Sequence, residues 1–170
     1  MSDTTRILVR NAREQDIPAV VEIAAEAFAS NGTAAGPETF QGRLTAFPNG
    51  FVILVAENEI AAYACSEKWL AEEEPGIDEK GSTTHQPDGK IFCITSMAVR
   101  RKFRGRGYGL RILDALREIA HLEVCRKIVV ETTDAQDFFR KRAFQVVRQR
   151  TEHGIPMDVM SLDIKTISLH

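Results

Sequence analysis

The sequence predicts a mixed α/β fold, and three observations carry that prediction. Ile91 to Val99 is apolar enough for a buried strand, and Leu110 to His121 places Ile112, Leu113, Leu116, Ile119 and Ala120 at helical spacing. Between them lies the glycine-rich basic segment Arg104-Gly105-Arg106-Gly107-Tyr108-Gly109. Upstream, Phe51 to Glu57 and Ile60 to Ser66 flank Asn58 as a hairpin. A chain of 170 residues suits one domain, expected over residues 1–170.

The elements follow in order. Arg6 to Arg10 alternates Ile7 and Val9 with polar neighbours and reads as a first strand. Asp16 and Pro18 open a helix as cap and first-turn proline, with Ile17, Val20, Val21, Ala24 and Phe28 on its apolar face. Asn31-Gly32 to Gly36-Pro37 is a loop, Glu38 to Phe47 a second short helix, and Pro48-Asn49-Gly50 its stop. The hairpin comes next, then a polar stretch from Trp69 to Lys90. A connection of that length inside a compact domain is usually functional or disordered. After the Ile91 strand and the Leu110 helix, Lys127 to Glu131 is a fifth strand. Asp134 to Lys141 is a helix capped by Thr133 or Asp134, and Gln145 to Gln149 and Met157 to Ile164 are closing strands. No repeat or linker divides the chain.

A strand, a glycine-rich loop and a helix form an anion-binding device. Glycines allow tight turns and close approach. The N–H groups and dipole at a helix start favour negative charge, and Arg104 and Arg106 add charge-assisted donors. The segment is therefore expected to hold a pyrophosphate. A dinucleotide fold would need G-x-G-x-x-G in its first strand–helix unit, and a Walker loop G-x-x-x-x-G-K-[ST]; neither string occurs.

The segment resembles the coenzyme A signature of the GNAT superfamily of N-acetyltransferases, R-x-x-G-x-G after an apolar strand. Arg104, Gly107 and Gly109 match it, and Met97-Ala98-Val99-Arg100 matches the approach. The order of elements resembles that family along nearly the whole chain. The resemblance implies a central, mostly antiparallel sheet flanked by helices, with splayed fourth and fifth strands. It also implies acetyl-CoA as co-substrate, without a metal. The coenzyme would be held by Met97, Ala98, Val99, Arg104, Gly105, Arg106, Gly107, Tyr108 and Gly109, with Thr132, Phe138 and Phe139 beyond the fifth strand.

A second family string, N-x-x-A-x-x-[FL]-Y-x-[KR]-x-G-F, is matched by Ala135, Phe138, Lys141 and Phe144. Thr132 stands in place of asparagine, Ala143 in place of glycine and Phe139 in place of tyrosine. That tyrosine is the family's proton donor to the leaving thiolate, a service typically worth ~10²–10⁴ in rate. Phenylalanine cannot perform it. His85-Gln86-Pro87-Asp88-Gly89, Gly36-Pro37 and Phe47-Pro48-Asn49-Gly50-Phe51 are similar to the arylalkylamine N-acetyltransferase group. Where that group carries two histidines on its fourth strand, this chain has Cys93 and Thr95. The catalytic residues stay open among Glu67, His85, Cys93, Thr95 and Asp134, with Glu26 a further choice for the base.

A formal net charge of −2 argues against a general nucleic-acid binder, yet five of the seven residues from Arg100 to Arg106 are basic. Cys65, Cys93 and Cys125 show neither C-x-x-C nor metal-ligand spacing and are expected as buried thiols. Trp69 beside Glu72, Glu73 and Glu74, with Asp78 and Glu79 further on, gives the long loop a character that attracts an organic cation. His121, His153 and His170 have no partners at ligand spacing. The N-terminal residues lack a signal pattern and no run is long enough for a membrane span, so a cytoplasmic protein is expected. It would act on a small-molecule amine without nucleic acid or membrane partners, with a homodimer allowed. The alternatives are a coenzyme A-binding sensor lacking the usual acid and base, and a nucleotide-phosphate binder of another fold.

Overall fold

The computed structural model describes residues 6–31, 34–70, 84–152 and 154–164. Seven strands form one sheet in the order β1-β2-β3-β4-β5-β7-β6. They are β1 (Ile7–Asn11), β2 (Val52–Ala56), β3 (Glu59–Trp69), β4 (Ile91–Val99), β5 (Lys127–Thr132), β6 (Gln145–Glu152) and β7 (Ile155–Asp163). Every pairing is antiparallel except β4 with β5. The helices are α1 (Ile17–Phe28), α2 (Pro37–Ala46), α3 (Tyr108–Leu122) and the short α4 (Gln136–Arg140).

The helices cover opposite faces. Val20, Ile23 and Ala24 of α1 and Phe40 of α2 are fully buried against Ile53, Tyr63 and Cys65. Ile112, Leu113, Leu116 and Ala120 of α3 pack with Leu54, Ala62, Ala64, Phe92 and Ile128 on the other face. The alternation along β3 produces this division: Tyr63 and Cys65 serve the α1/α2 side, while Ala62 and Ala64 serve α3. The β2–β3 hairpin turns through Glu57 and Asn58 alone, at φ 52° and 64°, the two positive values a tight primed turn requires.

Several boundaries differ from the sequence expectation. Asp16 does not cap α1. Its buried carboxylate accepts the N–H of Arg13 at 2.7 Å and a two-pronged contact from Arg10 at 2.7 and 3.0 Å. The last helix begins at Gln136, two residues late, because the Thr132 hydroxyl takes the N–H of Ala135 at 2.9 Å and holds a turn there. Trp69 belongs to β3 and is buried. The acidic residues Glu72, Glu73, Glu74, Asp78 and Glu79, and the histidines 153 and 170, lie outside the described residues.

Candidate active site

The site begins where β4 loses a neighbour. Ile91, Phe92, Cys93 and Ile94 pair with Lys127, Ile128, Val129 and Val130 of β5, and the ladder ends there. At the same point the β3 register slips: Cys65 faces Ser96 and Ser66 faces Ile94, leaving Thr95 as an extra residue. This bulge bends β4 and divides it. From Thr95 to Val99 the strand pairs with β3 only, while Glu131 and Thr132 of β5 continue along β7. A cleft opens between them.

Backbone donors line that cleft. Arg100 N–H donates to Ala61 C=O at 2.7 Å, which fixes the β3 side of the strand. Alternation then turns the N–H groups of Met97 and Val99 toward the cleft. At its far end stands α3, with Gly107 as its cap at φ 82° and Gly105 at φ 81°, left-handed values that suit glycine. The first helical bond runs from Arg111 N–H to Gly107 C=O at 3.1 Å, so the N–H groups of Tyr108, Gly109 and Leu110 precede the ladder and point outward. A Cβ on Gly109 would sit 3.0 Å from the Phe138 ring, so Phe138 closes tightly over the helix start.

The basic run splits in two. Arg100 meets Glu22 at 2.7 Å, Lys102 meets Glu59 at 2.7 Å, and the Arg101 N–H donates to Glu26. These residues tie β4 to α1 and β3 and do not serve the phosphate loop. Arg104 is exposed and donates through Nε to Val99 C=O at 3.2 Å. Arg106 is exposed and pairs with Glu57 at 3.2 Å. Such an exposed pair is weak, because water screens it, and leaves the guanidinium free to exchange partners.

The catalytic candidates are scattered. Glu67 and Cys93 are opposed across β3 and β4, both buried, on the α1/α2 face. Glu67 Oε1 accepts Trp69 Nε1–H at 2.7 Å, and the Thr84 hydroxyl bridges both carboxylate oxygens at 2.8 Å. Cys93 packs with Trp69, Ile91, Val129 and Val159. Thr95 donates to Cys65 C=O at 3.1 Å and touches Cys65 Sγ at 3.4 Å. His85 lies elsewhere: its ring stacks on Phe47 at 4.8 Å, its Nδ1 accepts Lys68 N–H at 3.0 Å, and Phe47 belongs to the core shared with α3. Burial and the Lys68 charge push its pKa down, although Glu123 pulls the other way. Asp134 is exposed in the turn before α4. Phe139 is buried, 5.0 Å from the Phe138 ring and 5.4 Å from that of Phe144.

Two features of this face were not singled out from the sequence. The Tyr63 hydroxyl and Ser96 Oγ lie 2.6 Å apart, beside Met97. Burial, with Cys65 adding to it, pushes the Tyr63 phenol far above the ordinary tyrosine range despite the Ser96 bond and Arg43, so it stays protonated. Arg43 of α2 reaches Cys65 Sγ at 3.5 Å and lies 5.5 Å from the Phe40 ring. Its signal in the sequence was position: three residues after a buried Phe40, it shares that inward face.

No group of three or more His, Cys, Asp or Glu among the described residues could hold a metal ion. Among them, no helix is long and apolar enough to cross a membrane. A diverging pair of parallel strands, with outward N–H groups on one and a glycine-capped helix beyond, thus frames the cleft. The model of the acetyltransferase (GNAT) family matches residues 17–144, and the chain belongs to that family. The fold is similar to the loading GNAT-like domain of CurA from Lyngbya majuscula, at TM-score 0.81 and 13% identity over 93% of this chain and 98% of that one. It is similar also to YncA of Salmonella typhimurium, a putative acetyltransferase solved with acetyl-CoA, at TM-score 0.71 and 15% identity over 96% of each chain. A third is the ribosomal-protein-S18-alanine N-acetyltransferase of Escherichia coli, at TM-score 0.68 and 15% identity over 97% of this chain and 99% of that one. No curated protein sequence matches significantly.

Proposed function

We propose that this protein transfers an acetyl group from acetyl-CoA to a primary amine on a small molecule by direct attack. The observation that carries the reading is the half of β4 that lacks a β5 partner, aimed at the glycine-capped start of α3. Acetyl-CoA has a polar, peptide-like arm and a pyrophosphate, and both ends find donors here. Met97 and Val99 N–H would bond the arm and polarise the thioester carbonyl. The N–H groups of Tyr108, Gly109 and Leu110, with Arg104 and Arg106, would take the pyrophosphate. In chemical terms the amine nitrogen bonds to the carbonyl carbon, the carbon–sulfur bond breaks, and the nitrogen loses a proton.

An alkylammonium has a pKa near 10, so a base must take that proton. Glu67 supports this role best. It and Asp16 are the buried carboxylates among the described residues, and Asp16 is committed to Arg10. A water relay would serve its remaining acceptor capacity. The thiolate leaves without help from Phe139. A thiol with a reference pKa near 8.5 is a tolerable leaving group, and Tyr63–Ser96 is a protonated hydroxyl pair beside the cleft.

The test is release of coenzyme A thiol from acetyl-CoA across alkylamines, arylamines, polyamines and amino acids. Turnover on at least one small amine is expected. Tight coenzyme binding with no turnover on any amine would favour the second reading, a coenzyme A-binding sensor. The specific observation behind that reading is Phe139, buried at the family's tyrosine position. Preference for ATP over coenzyme A would remove both.

A further inference from the structure

Arg43 is a cation in an unusual setting. It projects from α2 onto the α1/α2 face, half-buried, and its guanidinium makes one hydrogen bond among the described residues, to a thiol. No carboxylate of a described residue lies within ion-pair distance, whereas Arg10, Arg100, Arg106, Arg140, Arg142 and Arg150 each have one. A guanidinium withdrawn from water without a matching anion is costly, and its planar fork suits a carboxylate.

Its position gives that fork a purpose. Cys65 Sγ contacts both Arg43 Nη1 at 3.5 Å and Thr95 Oγ1 at 3.4 Å, so the guanidinium lies one sulfur atom away from the β4 bulge. Two residues further, Met97 opens onto the cleft. Glu67 lies on the same face one position along β3, near enough for its charge to act on Arg43 but outside ion-pair distance. A positive and a negative group thus stand apart on one face, beside the place where the amine must arrive.

We propose that Arg43 receives a carboxylate of the acceptor, so that the substrate is an amine that also carries an acid group, an amino acid or a close analogue. The acid end would dock on Arg43 and the amine end would lie toward Glu67 and the cleft. This rests on the transfer reading above and narrows its substrate class.

The test compares matched acceptor pairs, amino acids against their decarboxylated amines and their amides, in wild type, Arg43→Gln and Arg43→Lys. Wild type should prefer the acid-bearing partner by tenfold or more in kcat/KM. Arg43→Gln should lower that ratio at least tenfold through KM for the acid, and Arg43→Lys should restore part of it. Coenzyme A affinity by calorimetry reports whether each variant is folded. Calorimetry with amino acids on the coenzyme-loaded protein gives a readout independent of turnover. Amino-acid binding lost in Arg43→Gln, with no turnover on any amine, would sustain the site and overturn the transfer reading. Turnover that ignores the carboxylate, or equal losses on both partners of each pair, would overturn the site and leave the transfer reading standing. Neither binding nor turnover would end both.

Discussion

The two sides of the β4 cleft are made of different material. On the side proposed for the coenzyme the chemistry is backbone: N–H groups of Met97 and Val99, the start of α3, and the glycines of its loop. On the side proposed for the acceptor it is side chains, with Arg43, Glu67, Thr95 and the Tyr63–Ser96 pair arranged over β3, β4 and α2. A backbone site depends on conformation and tolerates change in most side chains. A side-chain site depends on identity, and can be respecified one residue at a time. The comparison therefore predicts separable failures.

The largest effect should come from Gly107→Glu, which forces a side chain into a left-handed conformation costing ~1–2 kcal/mol and places an anion against the phosphate position. Coenzyme A affinity measured by calorimetry should fall about 100-fold or more, equivalent to ~2.7 kcal/mol. An unchanged affinity in the folded variant would put the phosphate site elsewhere. Asp16→Ala is the control that belongs to neither side. It should cost about 1–3 kcal/mol in denaturant unfolding, with KM for both substrates unaffected. Burial alone would raise the Asp16 pKa, but Arg10 and the Arg13 N–H outweigh it and hold it low. Its contribution to stability is thus full above the unfolded value near 3.9 and is lost as pH falls through the lower folded value. In Asp16→Ala that part of the acid slope should flatten.

Glu67→Gln keeps an acceptor for Trp69 and Thr84 while removing the charge. About tenfold loss in kcat/KM for the amine, with coenzyme affinity within twofold, is the expected split. Equal losses for both would mean that the two sides are one. The smallest effect concerns His85, whose depressed pKa means that the unfolded chain binds its proton first. Stability should therefore be intact above about pH 6.5 and decline slightly as pH drops through the lower folded value. Thermal melts of His85→Gln across the same range should lack that decline.

The contrast of materials also explains what the sequence made legible. Glycines 105, 107 and 109 between an apolar strand and an amphipathic helix announce a backbone site, because spacing alone encodes it. The β4 limits, Ile91 to Val99, were readable for the same reason, whereas the place of β7 between β5 and β6 was not. The acceptor side depends on which residues meet across strands, and one sequence does not print register. Glu67 could be named, but not its bonds to Trp69 and Thr84. His85 looked equivalent to Glu67 until the fold put it on the opposite face. Asp16 carried a capping residue's identity while its carboxylate was taken by Arg10, a tertiary contact that local rules cannot foresee.

Thr95 has one more consequence, for how this protein can change. Up to Ile94 the strand obeys one alternation; after the extra residue it obeys the opposite one, with Ser96 and Ala98 where odd numbers had been and Met97 and Val99 toward α3. Any amino acid at position 95 leaves that inversion in place, because it is a matter of chain length. Deleting the residue would leave Ser96 and Ala98 toward α1 and α2 and Met97 and Val99 toward α3, in a regular ladder with β3 that lacks the bulge's bend. Point substitution can therefore retune the side chains along the cleft without removing the bulge, whereas loss of a single codon would remove it in one step.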